Sequence, residues 1–263
     1  MPRFSANLEY LFTDVPFMER FEHASKAAFR AVETHWLHTR DTAAIRAELD
    51  RTGLALDAIN VFCGDFSAGD RGFAADPARR AEFRASIEQA IADTTLLGAP
   101  KMHILVGKRI SEKSRAEQFG SIAVNLAWAA ERLAAAGKVG LIEGLNPIDN
   151  PGYMIESMAD LVGLLNAVDS SALAIQFDFY HLQRVQGELL KTFAQLHDRV
   201  GHIQIADAPG RNEPGTGEIN YRNVLKAIDD VGYRGYVGLE YRPSGTTLDS
   251  LKWVAEYGYS IGG

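Results

Sequence analysis

Short apolar runs alternate with longer amphipathic stretches along the whole chain, and this pair of segments recurs eight times. The short runs are rich in β-branched and aromatic residues, as buried strands are, whereas the longer stretches repeat apolar positions three and four residues apart, as helices do. The pattern predicts eight strands, at residues 3–8, 31–36, 56–62, 101–107, 139–146, 173–178, 200–206 and 236–241.

A predicted helix follows each predicted strand. The helices are expected at residues 16–29, 42–52, 77–97, 116–136, 154–167, 189–197, 221–231 and 247–257. Asp76 before Pro77 indicates a helix start, because Asp caps the first turn and proline needs no amide partner there. Gly53, Gly98 and Gly137 follow predicted helices, at the position where a left-handed residue ends a helix.

This order of elements indicates an α/β fold of the (β/α)₈ type. Connections that contain a helix suit parallel neighbours, and eight such units close into a barrel of about 250 residues. We therefore expect a single barrel domain over residues 1–263. An open doubly wound sheet is the weaker alternative, because its nucleotide-binding form has a glycine-rich turn after the first strand, and residues 7–11 (NLEYL) contain no glycine.

Composition narrows the classes of function. The 263 residues are 46% hydrophobic and 23% charged, with a formal net charge of −7. No basic run is dense enough to follow a phosphate backbone, so nucleic acid is not an expected partner. No apolar stretch reaches the roughly 20 residues that span a membrane, and residues 1–7 do not resemble an export signal. The single cysteine, Cys63, cannot form an internal disulfide, which fits a cytoplasmic protein.

Four oxygen-bearing side chains lie at or near the ends of four consecutive predicted strands. Glu143, Asp178, Gln204 and Glu240 belong to the fifth to eighth strands. In barrel enzymes the chemistry takes place at the carboxyl ends of the strands. Because strand side chains alternate between faces and the neighbouring residues are apolar, we expect the four polar groups to point into the barrel.

A bound cation would explain this set of side chains. Three carboxylates in a confined space repel one another unless a positive charge neutralises them. Four oxygen ligands favour a hard divalent ion, Mg²⁺ or Mn²⁺, over a zinc site of histidine and cysteine. Each acid taken alone has an equally good structural explanation, as the cap of a nearby helix or the partner of a basic side chain. Four donors on consecutive strands favour the metal.

Longer motifs surround these residues. They are residues 64–72 (GDFSAGDRG), 142–146 (IEGLN), 176–181 (QFDFYH), 202–221 (HIQIADAPGRNEPGTGEINY) and 238–243 (GLEYRP). Through them nearly the whole chain resembles the hydroxypyruvate isomerase family, within the xylose isomerase-like group of TIM barrels. The resemblance implies metal-assisted interconversion of hydroxypyruvate and tartronate semialdehyde, in glyoxylate and carbohydrate acid metabolism. It also implies that Glu143 and Glu240 transfer the proton and, with Asp178 and Gln204, hold the metal.

The implied reaction moves a proton between adjacent carbons through an enediolate, and charge builds on two oxygens. A divalent ion stabilises such charge, and paired carboxyl groups take and return the proton. His181, three residues beyond Asp178, is expected to hydrogen-bond a substrate oxygen. Arg211 and, as a second choice, Lys108 are expected to bind the carboxylate of the small hydroxy or oxo acid. As ordinary loop residues, these three would instead pair with a neighbouring carboxylate or reach solvent.

Other functions remain open from the sequence. Isomerases of 2-oxo-tetronate share most of these motifs, and a ketose 3-epimerase acting on a neutral sugar is a third candidate. Residues 58–63, the pair His35 and Trp36, and Gly144 differ from what we expect in close relatives, which leaves the exact substrate undecided.

Two further classes are disfavoured. An endonuclease with several zinc ions does not suit an acidic chain with seven scattered histidines. A binding barrel without activity does not suit the intact set of four donors.

Barrels of this kind often form dimers, so we expect a homo-oligomer.

Overall fold

Eight parallel strands form a closed barrel in which each strand lies beside the next one in chain order. The structure is a computed structural model that describes residues 1–35 and 37–262. The (β/α)₈ fold predicted from the sequence is confirmed. The strands are β1 (Arg3–Asn7), β2 (Ala31–Thr34), β3 (Ala55–Asn60), β4 (Lys101–His103), β5 (Val139–Ile142), β6 (Leu173–Asp178), β7 (Val200–Ile205) and β8 (Tyr236–Leu239).

Helices alternate with the strands along the chain. They are α1 (Arg20–Lys26), α2 (Thr42–Thr52), α3 (Arg80–Leu97), α4 (Arg115–Ala136), α5 (Met158–Val168), α6 (Phe179–Val185), α7 (Leu189–Leu196), α8 (Tyr221–Asp230), α9 (Thr247–Ser250) and α10 (Lys252–Glu256). Short 3₁₀ turns occur at Phe17–Glu19, Leu37–Thr39, Pro77–Arg79 and His197–Arg199. Within residues 1–35 and 37–262, the helices are too short or too polar to cross a membrane.

Several strands end earlier than the apolar pattern predicts. β4 ends at His103 and β5 at Ile142, although the pattern continues to residues 107 and 146. The extra apolar residues, such as Leu105 and Leu145, are buried in the loops that follow. An apolar pattern indicates which residues are buried, but it does not indicate which residues form hydrogen bonds with a neighbouring strand. It therefore overestimates the strand length. The predicted end of the second strand includes Trp36, which lies outside the described residues.

The helices differ from prediction where side chains cap them. The helix expected from residue 154 begins at Met158, because Ser157 accepts a hydrogen bond from the Asp160 amide (3.1 Å) and starts the helix there. The sequence pattern did not predict α6, which begins directly after β6 with Asp178 as its cap. The helix expected at residues 247–257 is divided into α9 and α10 at Leu251.

Other caps agree with the sequence. The Asp76 carboxylate accepts a hydrogen bond from the Ala78 amide (3.0 Å), at the start of the turn that leads into α3. Gly53, Gly98 and Gly137 follow α2, α3 and α4 with φ angles of 70°, 74° and 65°. A side chain disfavours this left-handed conformation, so glycine ends these three helices at low conformational cost.

The chain divides into two compact units, of which the first comprises Met1–Thr34, Asp41–Asp57 and Phe177–Gly263. In this unit β1 pairs with β2 and β8, and β7 pairs with β8. Its core contains packed aromatic rings, such as those of Phe177 and Phe193, whose centroids are 5.3 Å apart. Edge-to-face packing of this kind adds to the stability that burial provides.

The second unit comprises His35–Arg40 and Ala58–Gln176. Its strands β3, β4, β5 and the first part of β6 pair in chain order. The buried hydroxyl of Tyr153 accepts a hydrogen bond from the Val106 amide (3.1 Å), which fixes the loop after β4. These pairings position the loops at the carboxyl ends of β4 and β5.

Candidate active site

The four oxygen donors predicted from the sequence are all buried near the carboxyl ends of their strands. Glu143 and Glu240 directly follow β5 and β8, Asp178 is the last residue of β6, and Gln204 lies one residue before the end of β7. Their exposed fractions are 3%, 6%, 2% and 3%, respectively. Buried charged groups need compensating partners, so the contacts of each side chain show how it is held.

The start of α6 holds Asp178. Its Oδ1 accepts hydrogen bonds from the backbone amides of Tyr180 (2.7 Å) and His181 (3.4 Å), which lie in the first turn of the helix. Burial raises the pKa of Asp178 to about 7, while the guanidinium of Arg211 opposes this rise and the carboxyl group of Glu240 adds to it. A cation near this carboxylate would stabilise its ionised form.

Glu240 lies between an amide and a guanidinium. Asn7 donates from Nδ2 to Glu240 Oε1 (3.2 Å), and Arg211 forms an ion pair with Glu240 Oε2. Nη2 of the same arginine lies 3.9 Å from Asp178 Oδ2. The structure therefore brings together Asp178, Arg211 and Glu240, three of the residues predicted from the sequence.

The loop after β7 is built around Asp207, which the sequence pattern did not single out. Its carboxylate accepts hydrogen bonds from the backbone amides of Gly215 (2.8 Å), Gly217 (2.9 Å) and Ile219 (3.0 Å). Arg211 lies in this loop with a φ of 58°, and its side chain is 14% exposed. The loop thus holds Arg211 against the acids. An aspartate before a run of turn residues was the available signal.

His181 lies in the first turn of α6 and is 2% exposed. Its Nε2 is 3.8 Å from Asp178 Oδ2. The guanidinium carbon of Arg211 lies 5.0 Å from the ring centroid of Tyr180 and 5.3 Å from that of Tyr10. The imidazole and the guanidinium therefore both approach Asp178, with aromatic rings beside the guanidinium.

Gln204 contacts a buried polar network. Its Nε2 donates to Glu33 Oε2 (3.3 Å), and His202 Nε2 is 2.8 Å from the same oxygen. His202 Nδ1 is 3.3 Å from Asp57 Oδ2. Sequence reasoning missed the contacts of Glu33, Asp57 and His202, although each is a titratable residue inside a mainly apolar strand, which was the available signal.

Glu143 lies in the second unit and contacts residues of β4 and β6. Gln176 donates from Nε2 to Glu143 Oε2 (3.0 Å), and His103 Nε2 is 3.3 Å from the same oxygen. Ile142 pairs with Ile175 in the β5–β6 register, which sets the next residues, Glu143 and Gln176, side by side. An amide donor therefore fixes this carboxylate, as an amide fixes Glu240.

Lys108 lies in the same unit as Glu143 and lines a pocket of about 130 Å³. Asp70, Arg71 and Arg79 line this pocket as well. Arg71 is oriented by a hydrogen bond from its Nε to Asn150 Oδ1 (2.9 Å). The pocket has more basic than acidic side chains, which favours the binding of an anion. The substrate-binding role of Lys108 stays a prediction.

The residue types present fit a hard divalent cation. Glu143, Asp178 and Glu240 offer carboxylate oxygens and Gln204 offers an amide oxygen, which are the ligands that Mg²⁺ and Mn²⁺ prefer. Arg211 lowers the pKa of Asp178, but burial raises it by more, so the net shift is upward. The positive charge of one guanidinium therefore does not offset the cost of burying this carboxylate. Each of these four side chains therefore offers an oxygen of the type that a hard cation binds, and three of them are carboxyl groups that can exchange protons.

Comparison with known proteins identifies relatives over nearly the full length of the chain. Residues 21–257 match the family model described as xylose isomerase-like TIM barrel. The chain is 40% identical over 257 residues to the hydroxypyruvate isomerase of Escherichia coli (strain K12), which covers 98% of this chain and 100% of that protein. It is 38% identical over 257 residues to the 2-oxo-tetronate isomerase of Cupriavidus necator, covering 98% and 99%.

A solved structure is also similar to this one. The crystal structure of an "AP endonuclease, family 2" from Brucella melitensis matches with a TM-score of 0.94 and 37% sequence identity. The match covers 98% of this chain and 99% of that chain. The similarity therefore extends over nearly the whole of both proteins.

Proposed function

Because the chain belongs to the xylose isomerase-like TIM-barrel family, we propose that it is an aldose-ketose isomerase of the hydroxypyruvate isomerase type. It interconverts hydroxypyruvate and tartronate semialdehyde by moving a proton between adjacent carbons through an enediolate. Relatives named hydroxypyruvate isomerase and 2-oxo-tetronate isomerase are 36–40% identical over 98% of the chain. We further propose that the protein acts in the cytoplasm, in glyoxylate and carbohydrate acid metabolism.

The observation that carries this proposal is the buried group of Asp178, Arg211 and Glu240. The guanidinium of Arg211 contacts Glu240 and lies near Asp178, and it would pair with the carboxylate of an acidic substrate. The carboxylates beside it would bind a cation and exchange protons. A small hydroxy or oxo acid requires both of these properties.

Glu143, Asp178, Gln204 and Glu240 would hold a divalent metal ion, Mg²⁺ or Mn²⁺. They belong to β5, β6, β7 and β8, which are successive neighbours in the barrel, and Glu143, Asp178 and His181 are buried side chains of metal-binding types. When bound, the ion would stabilise the negative charge that develops on the two substrate oxygens.

Glu143 and Glu240 would transfer the proton. One carboxylate takes the proton from the substrate carbon, and the carboxyl group of the other returns a proton to the adjacent carbon. The amides of Gln176 and Asn7 fix the orientation of the two carboxyl groups.

Three further residues would bind the substrate. Arg211 pairs with its carboxylate, and His181 hydrogen-bonds a substrate oxygen and moves the matching proton between the two oxygens. Lys108 is the second choice for the carboxylate, because it lies in a basic pocket of the unit that contains Glu143.

A 2-oxo-tetronate isomerase is the alternative function. Relatives with that name are 36% and 38% identical to the chain, and the hydroxypyruvate isomerase is 40% identical. These values are too similar for sequence identity to distinguish the two substrates. A ketose 3-epimerase acting on a neutral sugar is the third candidate, and a buried arginine beside the acids favours an acidic substrate over it.

The test is a turnover assay on metal-stripped protein with each acid, with and without added Mg²⁺ or Mn²⁺, followed by NMR. We expect turnover of hydroxypyruvate that requires metal and that Glu143→Gln abolishes. Glu131→Gln, an exposed substitution in α4, is the matched control and should keep full activity. Turnover of 2-oxo-tetronate alone would select the alternative, turnover without metal would overturn the metal assignment, and no turnover of either acid would favour the neutral ketose.

A further inference from the structure

We infer that Glu33 is a positioning residue whose carboxylate orients the side-chain amide of Gln204 toward the metal. The inference rests on the proposed function, in which Gln204 is a metal ligand. An amide carries an acceptor oxygen on one side and a donor nitrogen on the other, and only the oxygen binds a hard cation. A residue that selects between these two orientations therefore controls whether Gln204 can act as a ligand.

The contact between the two side chains selects one orientation. Gln204 Nε2 lies 3.3 Å from Glu33 Oε2. In this contact the amide nitrogen donates and the carboxylate oxygen accepts, so Glu33 pairs with the nitrogen end of the amide. The amide oxygen of Gln204 then faces away from Glu33, and the proposed metal would be bound through this oxygen.

Glu33 is itself held in place. His202 Nε2 lies 2.8 Å from Glu33 Oε2, and Nδ1 of the same ring lies 3.3 Å from Asp57 Oδ2. The exposed fractions of Glu33, His202 and Asp57 are 2%, 0% and 7%. A carboxylate that is buried and held by a buried ring has few alternative rotamers, so it can fix its neighbour.

The neighbouring strand β8 leaves room for the Glu33 carboxylate. Gln204 of β7 pairs with Gly238 of β8. A Cβ atom at position 238 would lie 2.1 Å from Glu33 Oε1, a distance that is impossible without a shift. Glycine at this position therefore permits the placement of Glu33 beside Gln204.

The experiment measures Mn²⁺ affinity by electron paramagnetic resonance, which detects unbound Mn²⁺, over titrations into the millimolar range. We expect Glu33→Gln to weaken Mn²⁺ binding about 10- to 100-fold, as loss of an outer partner of a metal ligand does. Gly238→Ala should weaken binding in the same direction, because it displaces the Glu33 carboxylate while it keeps the charge. Gly120→Ala in α4, where a Cβ meets open space, is the control and should bind like the wild type.

A double-mutant cycle separates positioning from a general effect of charge or stability. In a Gln204→Ala background, Glu33→Gln should change the Mn²⁺ affinity less than about twofold, because Glu33 acts through Gln204. If the full effect of Glu33→Gln persists without Gln204, or if Glu33→Gln and Gly238→Ala bind Mn²⁺ like the wild type, the inference is wrong. Wild-type protein that binds no Mn²⁺ would overturn both the inference and the metal site of the proposed function.

Discussion

At the scale of single residues, each of the two carboxylates that we propose transfer the proton is held by an amide from another strand. Asn7 of β1 donates to Glu240 after β8, and Gln176 of β6 donates to Glu143 after β5. A hydrogen bond to a charged group is worth about 1.5–3 kcal/mol in folded proteins. The amides therefore fix the position of each carboxylate.

Replacing Asn7 by alanine would remove the amide that holds Glu240. We expect the kcat for hydroxypyruvate to fall about 10- to 100-fold, because each 1.36 kcal/mol of lost transition-state stabilisation costs a factor of about ten. Steady-state kinetics measure this change, with Asn223→Ala, an exposed asparagine of α8, as the control. A kcat equal to that of the wild type would show that Asn7 has no part in the reaction.

At the scale of secondary structure, glycines occupy two different environments in the same unit. A Cβ atom on Gly140 in β5 would lie 2.8 Å from side-chain carbons of Leu133 and Leu173 and 3.0 Å from one of Ile104. A Cβ atom on Gly120 in α4 would have no neighbour within 4 Å. A methyl group in the strand would therefore crowd these side chains, whereas the helix has space for alanine.

These two glycines predict stability changes of opposite sign. We expect Gly140→Ala to lower the free energy of unfolding by about 1–3 kcal/mol, because the added methyl group overfills the contact with α4 and β6. We expect Gly120→Ala to raise it by about 0.5–1 kcal/mol, because alanine is the better helix former. Urea unfolding of the two variants measures both changes, and shifts of the same sign would contradict this account.

At the scale of the whole molecule, folding buries acidic groups that prefer water, so the stability of the metal-free protein depends on pH. Burial raises the pKa of Asp178 to about 7, well above the value of about 3.9 that aspartate has in an unfolded chain. The folded state therefore binds this proton more tightly than the unfolded state does. Binding of this proton therefore adds to the free energy of unfolding at low pH, and this added stability is lost as the pH rises toward 7.

For the metal-free protein we expect the free energy of unfolding to fall between pH 5 and pH 8 because of Asp178. Asp178→Asn, which cannot ionise, should show a smaller fall over the same range, and the difference between the two proteins isolates this group. Bound Mn²⁺ should raise the stability of the wild type at pH 8, because it favours the ionised carboxylate. Urea unfolding at the two pH values tests this, and parallel curves for both proteins would count against it.

The sequence alone determined the order of strands and helices, several caps and the group of oxygen donors. Apolar periodicity and capping residues are local properties of the sequence. The helix ends at Asp76, Gly53, Gly98 and Gly137 could therefore be predicted without knowledge of tertiary contacts. Because the chemistry of a barrel lies at its strand ends, the sequence also predicted the burial of Glu143, Asp178, Gln204 and Glu240 at those ends.

Only the tertiary structure decided which groups hold these donors. Asn7 contacts Glu240 across nearly the full length of the chain, and Glu33 reaches Gln204 from β2. Such pairs arise when the barrel closes, because pairing of β1 with β8 joins the two ends of the chain. Local patterns carry no information about contacts between distant segments, and for that physical reason the sequence did not reveal the partners.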